Sequence, residues 1–164
     1  MRDLVGHTSR SLVTVEAYLD AEPGEITVQT PVGYFLALSG ADSAAVTERG
    51  RAAGRALGDD PLGFLSVLDE RVQAKVAAAA DDAYVGTAAG GMRLLDYLPT
   101  RTFELVVHTA DLAAALGVPA QPPAGPLGTA LTLAAEVAAA NGSGVQVLLA
   151  LTGRHGLPAG FTVL

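Results

Sequence analysis

The chain has 164 residues, the usual size of one domain, and can bury a substantial core without cross-links. Hydrophobic residues make up 50% and charged residues 16%, which excludes a disordered chain and leaves some apolar surface to meet a partner or second subunit. A net charge of −7 excludes nucleic acid as a partner, and the absence of cysteine excludes a disulfide framework, a thiolate metal ligand and a cysteine nucleophile.

The opening MRDLVGHTSR places charges and a histidine where a signal peptide needs an apolar run, and no later apolar stretch reaches the roughly 20 residues of a membrane span. A cytoplasmic protein is expected. Apolar residues recur at three- and four-residue spacing from Asp3 to about Leu19, a helix that stops at AEPGE. The run EITVQTPVGYFLAL, residues 25 to 38, suits a strand in its first half and is interrupted by Pro31; it is taken as a turn plus a short helix. A helix follows from Asp42, a capping residue, to Leu57 before Gly58, and another from the Asp60 cap with Pro61 at its first position to about Ala80.

Residues 84 to 97 contain AAGGM and are expected to be a loop leading into a short turn. Pro99 and Thr100 then open the strongest helix, which closes at Gly117. The four prolines of VPAQPPAGP make residues 118 to 126 an extended connection, followed by a helix from about Leu127 to Ala140. After NGSG, the run VQVLLALTG suits a strand or a short helix, and helix is preferred. The expected class is mainly α in one domain: a helical bundle over 1–117, the connection 118–126, and a C-terminal helical segment 127–164 packed on the same domain.

Arg101, Glu104, His108 and Asp111 fall within roughly 80° of one another on a helix and form one polar stripe. Such a stripe serves an amphipathic helix that turns its charges to water. It also serves chelation, because Glu104 and His108, one turn apart, can present a carboxylate oxygen and an imidazole nitrogen to one ion. Two ligands seldom make a tight site, and the remaining histidines are His7 in the first helix and His155 in the tail.

The blocks RDLVGHTSRSL and PTRTFELVVHTADLAAALG together resemble the metal-binding domain of mycothiol-dependent maleylpyruvate isomerases, a branch of the DinB-like helical bundles. The resemblance covers roughly residues 2 to 117, and LALTGRHGLP looks like the C-terminal segment of the same actinobacterial proteins. It implies a DinB-like up-down bundle in which His7, Glu104 and His108 form a facial triad for a divalent ion, most readily zinc, with positions left open. It also implies mycothiol as the thiol cosubstrate and a small electrophile as substrate, in isomerase or S-transferase chemistry. For maleylpyruvate, thiolate addition to the double bond permits rotation before elimination.

Within that resemblance Asp111 would orient a ligand or bond nearby backbone, and Arg101 would pair with a carboxylate of substrate or thiol; each equally suits a salt bridge to a neighbouring helix. Arg154, in the Gly-rich turn TGRHGLPAG, is a weaker candidate for an anionic ligand, and His155 beside it is not taken as a metal ligand. Family members usually carry a further helix before the motif that here begins at Met1. An incomplete four-helix bundle with a short C-terminal appendage would expose an apolar groove, which predicts a homo-oligomer associating through the first helix. The competing implication is a metal-stabilised binding or assembly module without catalysis.

Overall fold

A computed structural model describes residues 1–40 and 43–164. The chain is a mainly helical bundle with one small hairpin: α1 (Arg2–Leu19), α2 (Pro31–Leu38), α3 (Ser43–Ala56), α4 (Pro61–Ala78), β1 (Tyr84–Thr87), β2 (Gly90–Arg93), α5 (Leu94–Leu116), α6 (Ala124–Ala140) and α7 (Gly144–Leu151). No helix among the described residues is long and apolar enough to cross a membrane.

Local chemistry sets most of these boundaries. Thr30 accepts a hydrogen bond from the Gly33 N–H and Pro31 takes the first position of α2, so 25 to 38 resolves into an irregular segment and a short helix. Asp60 caps α4 in the same way through the Gly63 N–H at 3.0 Å, again with proline at the first position. The expected cap Asp42 lies outside the described residues. Asp60→Ala should cost about 1 kcal/mol, and so lower Tm by roughly 2–4 °C in a chain of this size. A thermal melt unchanged by the substitution would show that the cap contributes nothing.

Three segments depart from the expected reading. Residues 84 to 93 are not loop but an antiparallel hairpin, with Val85 opposite Met92 and Thr87 opposite Gly90. Its glycines serve close approach: a Cβ on Gly91 would stand 2.5 Å from the Glu25 carbonyl oxygen, and one on Gly90 would stand 2.0 Å from Thr27 Oγ1. The segment before α2 runs along this hairpin, and Gly91 donates to the Glu25 carbonyl while accepting from the Thr27 and Val28 N–H groups. Glycine depleted from strands by propensity is here required by packing.

Second, α5 begins at Leu94, so Pro99 lies inside it rather than at its start. The carbonyl that loses a partner there is that of Leu95, an exposed residue, where water can substitute. The buried Thr100 hydroxyl donates to the Tyr97 carbonyl at 2.6 Å in the same turn. Third, α6 begins at Ala124 and takes Pro126 into its first turn, where no N–H partner exists to be lost; the extended connection ends at Pro123. At 145–152 the helix preferred from the sequence forms as α7.

The core joins α1, α2, α4, the hairpin, α5 and α6, with Val15, Leu68, Val85, Met92, Tyr97, Phe103 and Leu133 buried together. Helix α6 thus contributes to the main core, whereas α7 packs on α6 alone among the helices and strands. Helix α1 is covered by α3, α4 and α5. Arg71 clamps Glu16 with two bonds of 2.8 and 3.0 Å, and Lys75 pairs with Asp20, which ties α4 along α1. Against α3 the fit is closer still: Gly6 is buried, and a Cβ there would stand 2.1 Å from the Gly54 nitrogen.

Candidate metal centre

Helix α3 approaches α1 through Gly50 and Gly54, four residues apart and so on one face. Gly50 lies against His7: an added Cβ would be 3.3 Å from His7 Nδ1 and 3.4 Å from its Cβ. The imidazole of α1 is thereby lodged between two helices and reaches α5. Its ring meets that of His108 edge to face, with centroids 4.5 Å apart and planes at 81°.

On α5, His108 Nε2 lies 3.0 Å from Glu104 Oε2, one turn earlier, and His108 Nδ1 lies 3.1 Å from Asp111 Oδ2, almost one turn later. Both ring nitrogens therefore face carboxylate oxygens, which only accept, so this arrangement favours a ring protonated on both nitrogens. One nitrogen from each of His7 and His108 and one oxygen of Glu104 all lie within 4.8 Å of one another. The polar stripe is not spread into water: the side chains of Glu104 and His108 are 25% and 15% exposed, against 53% for Asp111 at its outer end.

The electrostatics follow from these contacts. Hydrogen bonding to Glu104 raises the His108 pKa, burial opposes it, and the bond to Asp111 adds to the rise, leaving the group above its ordinary value. Burial lowers the pKa of His7, and the nearby positive groups His108, Arg10 and Arg49 push the same way against Glu104. Burial alone would lift the Glu104 carboxyl, yet the His108 bond and the charges of Arg101, His108 and His7 outweigh it and hold the group low. In metal-free protein His108 should therefore titrate above the ordinary imidazole value of about 6.5 and His7 below it. The Hε1 resonances followed from pH 5 to 9 would test this, and the opposite order would refute the arrangement.

His7 and Glu104 line a cavity of about 890 Å³. Its walls include Phe35, Leu38 and Val46 on the apolar side, and Arg10, Arg49 and Arg101 on the charged side. Among the described residues Arg101 pairs with no acidic group of a neighbouring helix. Its guanidinium stands 4.8 Å from the ring centre of Tyr97 and 5.1 Å from that of Tyr34, donating from Nε to Thr100 Oγ1 and from Nη2 to the Tyr34 hydroxyl. Burial raises the Tyr34 pKa, so its hydroxyl stays protonated at neutral pH.

The structure thus brings His7, Glu104 and His108 together, places Asp111 on the far nitrogen of His108, and sets Arg101 in the cavity wall. It does not bring Arg154 to them: that side chain is exposed beyond α7 and bonds to the Thr152 carbonyl, and His155 is exposed beside it. Sequence reasoning missed Arg10, Arg49 and Tyr34. Arg10 lies three residues after His7 on one helix, a spacing that could have found it; Arg49 and Tyr34 reach the cavity only through tertiary packing.

The donor set suits a divalent ion of borderline character: two imidazoles and one carboxylate on two packed helices, with a cavity beside them. Among known protein families, residues 1–113 match that described as the mycothiol maleylpyruvate isomerase N-terminal domain. No curated protein and no solved structure matches the chain.

Proposed function

The chain belongs to the mycothiol maleylpyruvate isomerase N-terminal domain family, and from that premise we propose that it binds one divalent ion, zinc by preference, and uses mycothiol on a small electrophile as an isomerase or S-transferase. The observation that carries the reading is the convergence of His7, Glu104 and His108, with His7 and Glu104 in the wall of a cavity large enough for a small-molecule site. When bound, such an ion supplies Lewis acidity that lowers the pKa of a thiol so that it stands as a thiolate at neutral pH.

The chain's own residues do the rest. His7 and Glu104 stand ready as ligands, one neutral and the other ionised, while Asp111 holds Nδ1 of His108 and leaves Nε2 on the Glu104 side. Phe35, Leu38 and Val46 shield one wall from water. The Tyr34 hydroxyl, fixed by Arg101, is a proton donor in the same space. With no cysteine in the chain, the nucleophilic sulfur has to arrive with the cosubstrate.

Metal-loaded protein incubated with mycothiol and a panel of electrophiles, maleylpyruvate among them, should consume thiol or isomerise substrate above the level of the His108→Ala variant. Retained metal with no turnover on any electrophile would instead favour the non-catalytic binding or assembly module. A specific feature supports that second reading: on α7 Val145, Leu148 and Leu151 are 71%, 59% and 74% exposed. Self-association belongs to the same proposal, with α7 rather than the covered α1 offering the surface. Light scattering that shows monomer at every concentration would remove it.

A further inference from the structure

The ten basic residues fall into three groups. Arg51, Arg55, Arg71 and Lys75 are in ion pairs with carboxylates. Arg2, Arg93 and Arg154 donate to backbone carbonyls. The three that remain, Arg10, Arg49 and Arg101, have no carboxylate partner among the described residues, and all three line the cavity beside the triad. Glu104 is the one acidic side chain among the described residues lining it, and the terminal residue Leu164 also reaches its wall, so three guanidinium groups face at most two carboxylates. A chain with seventeen acidic residues and a net charge of −7 has thus gathered an excess of positive charge in one concavity.

We propose that this cavity is an oxyanion site in which Arg10 and Arg49, with Arg101 held rigid beside Tyr34, bind the carboxylate or phosphate group of a small molecule. Arg101 is prepared for that role. Of its five N–H donors one is given to Thr100 and one to Tyr34, and the two tyrosine rings fix the guanidinium plane without neutralising it. Arg10 and Arg49 come from α1 and α3, so the close helix crossing that seats His7 also brings these two residues to the same cavity. Planar guanidinium forks match the oxygen pairs of carboxylate and phosphate, and at about 890 Å³ the space admits a small anion with an apolar body against Phe35 and Leu38. That this anion is the electrophile rests on the function proposed above; the anion site itself does not.

The test uses the full chain freed of metal by chelation, so that it does not depend on the triad being loaded. Arginine Nε–Hε resonances are followed while adding succinate, inorganic phosphate, or the uncharged succinamide, all at constant ionic strength. Saturable shifts of Arg10, Arg49 and Arg101 with an anion and none with succinamide are expected. The stronger of succinate and phosphate identifies the head group. The double variant Arg10→Gln with Arg49→Gln should weaken the Kd about tenfold or more while keeping the wild-type melting curve, and Arg49→Lys should recover part of the loss. No saturation with either anion, or equal binding by the folded double variant, overturns the proposal. If anions bind but no metal is ever retained, the metal reading fails and the anion site stands; metal retained without anion binding gives the reverse.

Discussion

Replacing His108 by alanine should abolish retention of the one equivalent of divalent metal expected in the wild-type protein. Even loss of a residue that only orients a ligand lowers metal affinity about 10–100-fold, the result expected for Asp111→Asn, and loss of a ligand itself should cost more. His7 and Glu104 cannot replace the missing donor, since two ligands do not enclose an ion and no other histidine stands among the residues of the candidate group. The effect should also appear in stability. An ion present at a hundred times its Kd adds about 2.7 kcal/mol to the folded state, so chelation should lower the Tm of the wild type and leave that of His108→Ala unmoved. Elemental analysis and paired melts with and without chelator measure both. Metal retained by the variant, or no metal in the wild type after supplementation, would defeat the assignment.

The pH dependence of that binding has a definite sign. In metal-free protein the contacts to Glu104 and Asp111 hold a proton on His108 to a pH above the ordinary imidazole value, and the ion must displace it. His7 and Glu104, both with lowered pKa values, compete for protons only at lower pH. Apparent affinity should therefore be flat above the His108 pKa and fall by about tenfold per pH unit below it, one proton for each ion bound.

The triad was legible in the sequence because two of its members share a helix turn, and because the block around His7 matched a family motif in the right order. The rest of the site is tertiary. Arg49 and Tyr34 reach the cavity from α3 and α2, and the register of α3 on α1 depends on glycines whose role no periodicity reveals. The hairpin was misread for a related reason. Gly86, Gly90 and Gly91 look like turn residues in a linear reading, but they clear space for the backbone and side chains of 22–27, a contact more than 60 residues away in the chain. Pro99 and Pro126 misled in the opposite direction: Pro126 sits in the first turn of α6, where its missing N–H costs little, and Pro99, the sixth residue of α5, leaves only the exposed Leu95 carbonyl to water, so each lies inside a helix that was expected to begin at or after it.

The crossing of α1 and α3 should be the most sensitive point of the fold, and Gly6→Ala should destabilise the protein although alanine is the better helix former. The substitution gains about 1 kcal/mol of helix propensity. Against this, the new Cβ would lie 2.1 Å from the Gly54 nitrogen, 2.4 Å from its Cα and 2.7 Å from the Ala53 carbonyl carbon. All three are backbone atoms of a helix, so no rotamer change relieves the contact and the two helices must part. Overpacking of this kind costs about 1–3 kcal/mol and more when backbone has to move, so a net loss of about 2 kcal/mol or more is expected, or roughly 4–8 °C in Tm. Gly128→Ala supplies the control with the opposite sign. It lies in α6 with nothing within 4 Å of its Cβ, and should stabilise by up to about 1 kcal/mol. Because His7 follows Gly6 directly and lies against Gly50 of α3, separating the helices should also weaken metal binding, which the Gly128 variant should leave intact. Urea unfolding of both variants, with metal content measured in parallel, tests the argument; equal stabilities would mean that the close approach of α1 to α3 does not hold the site together.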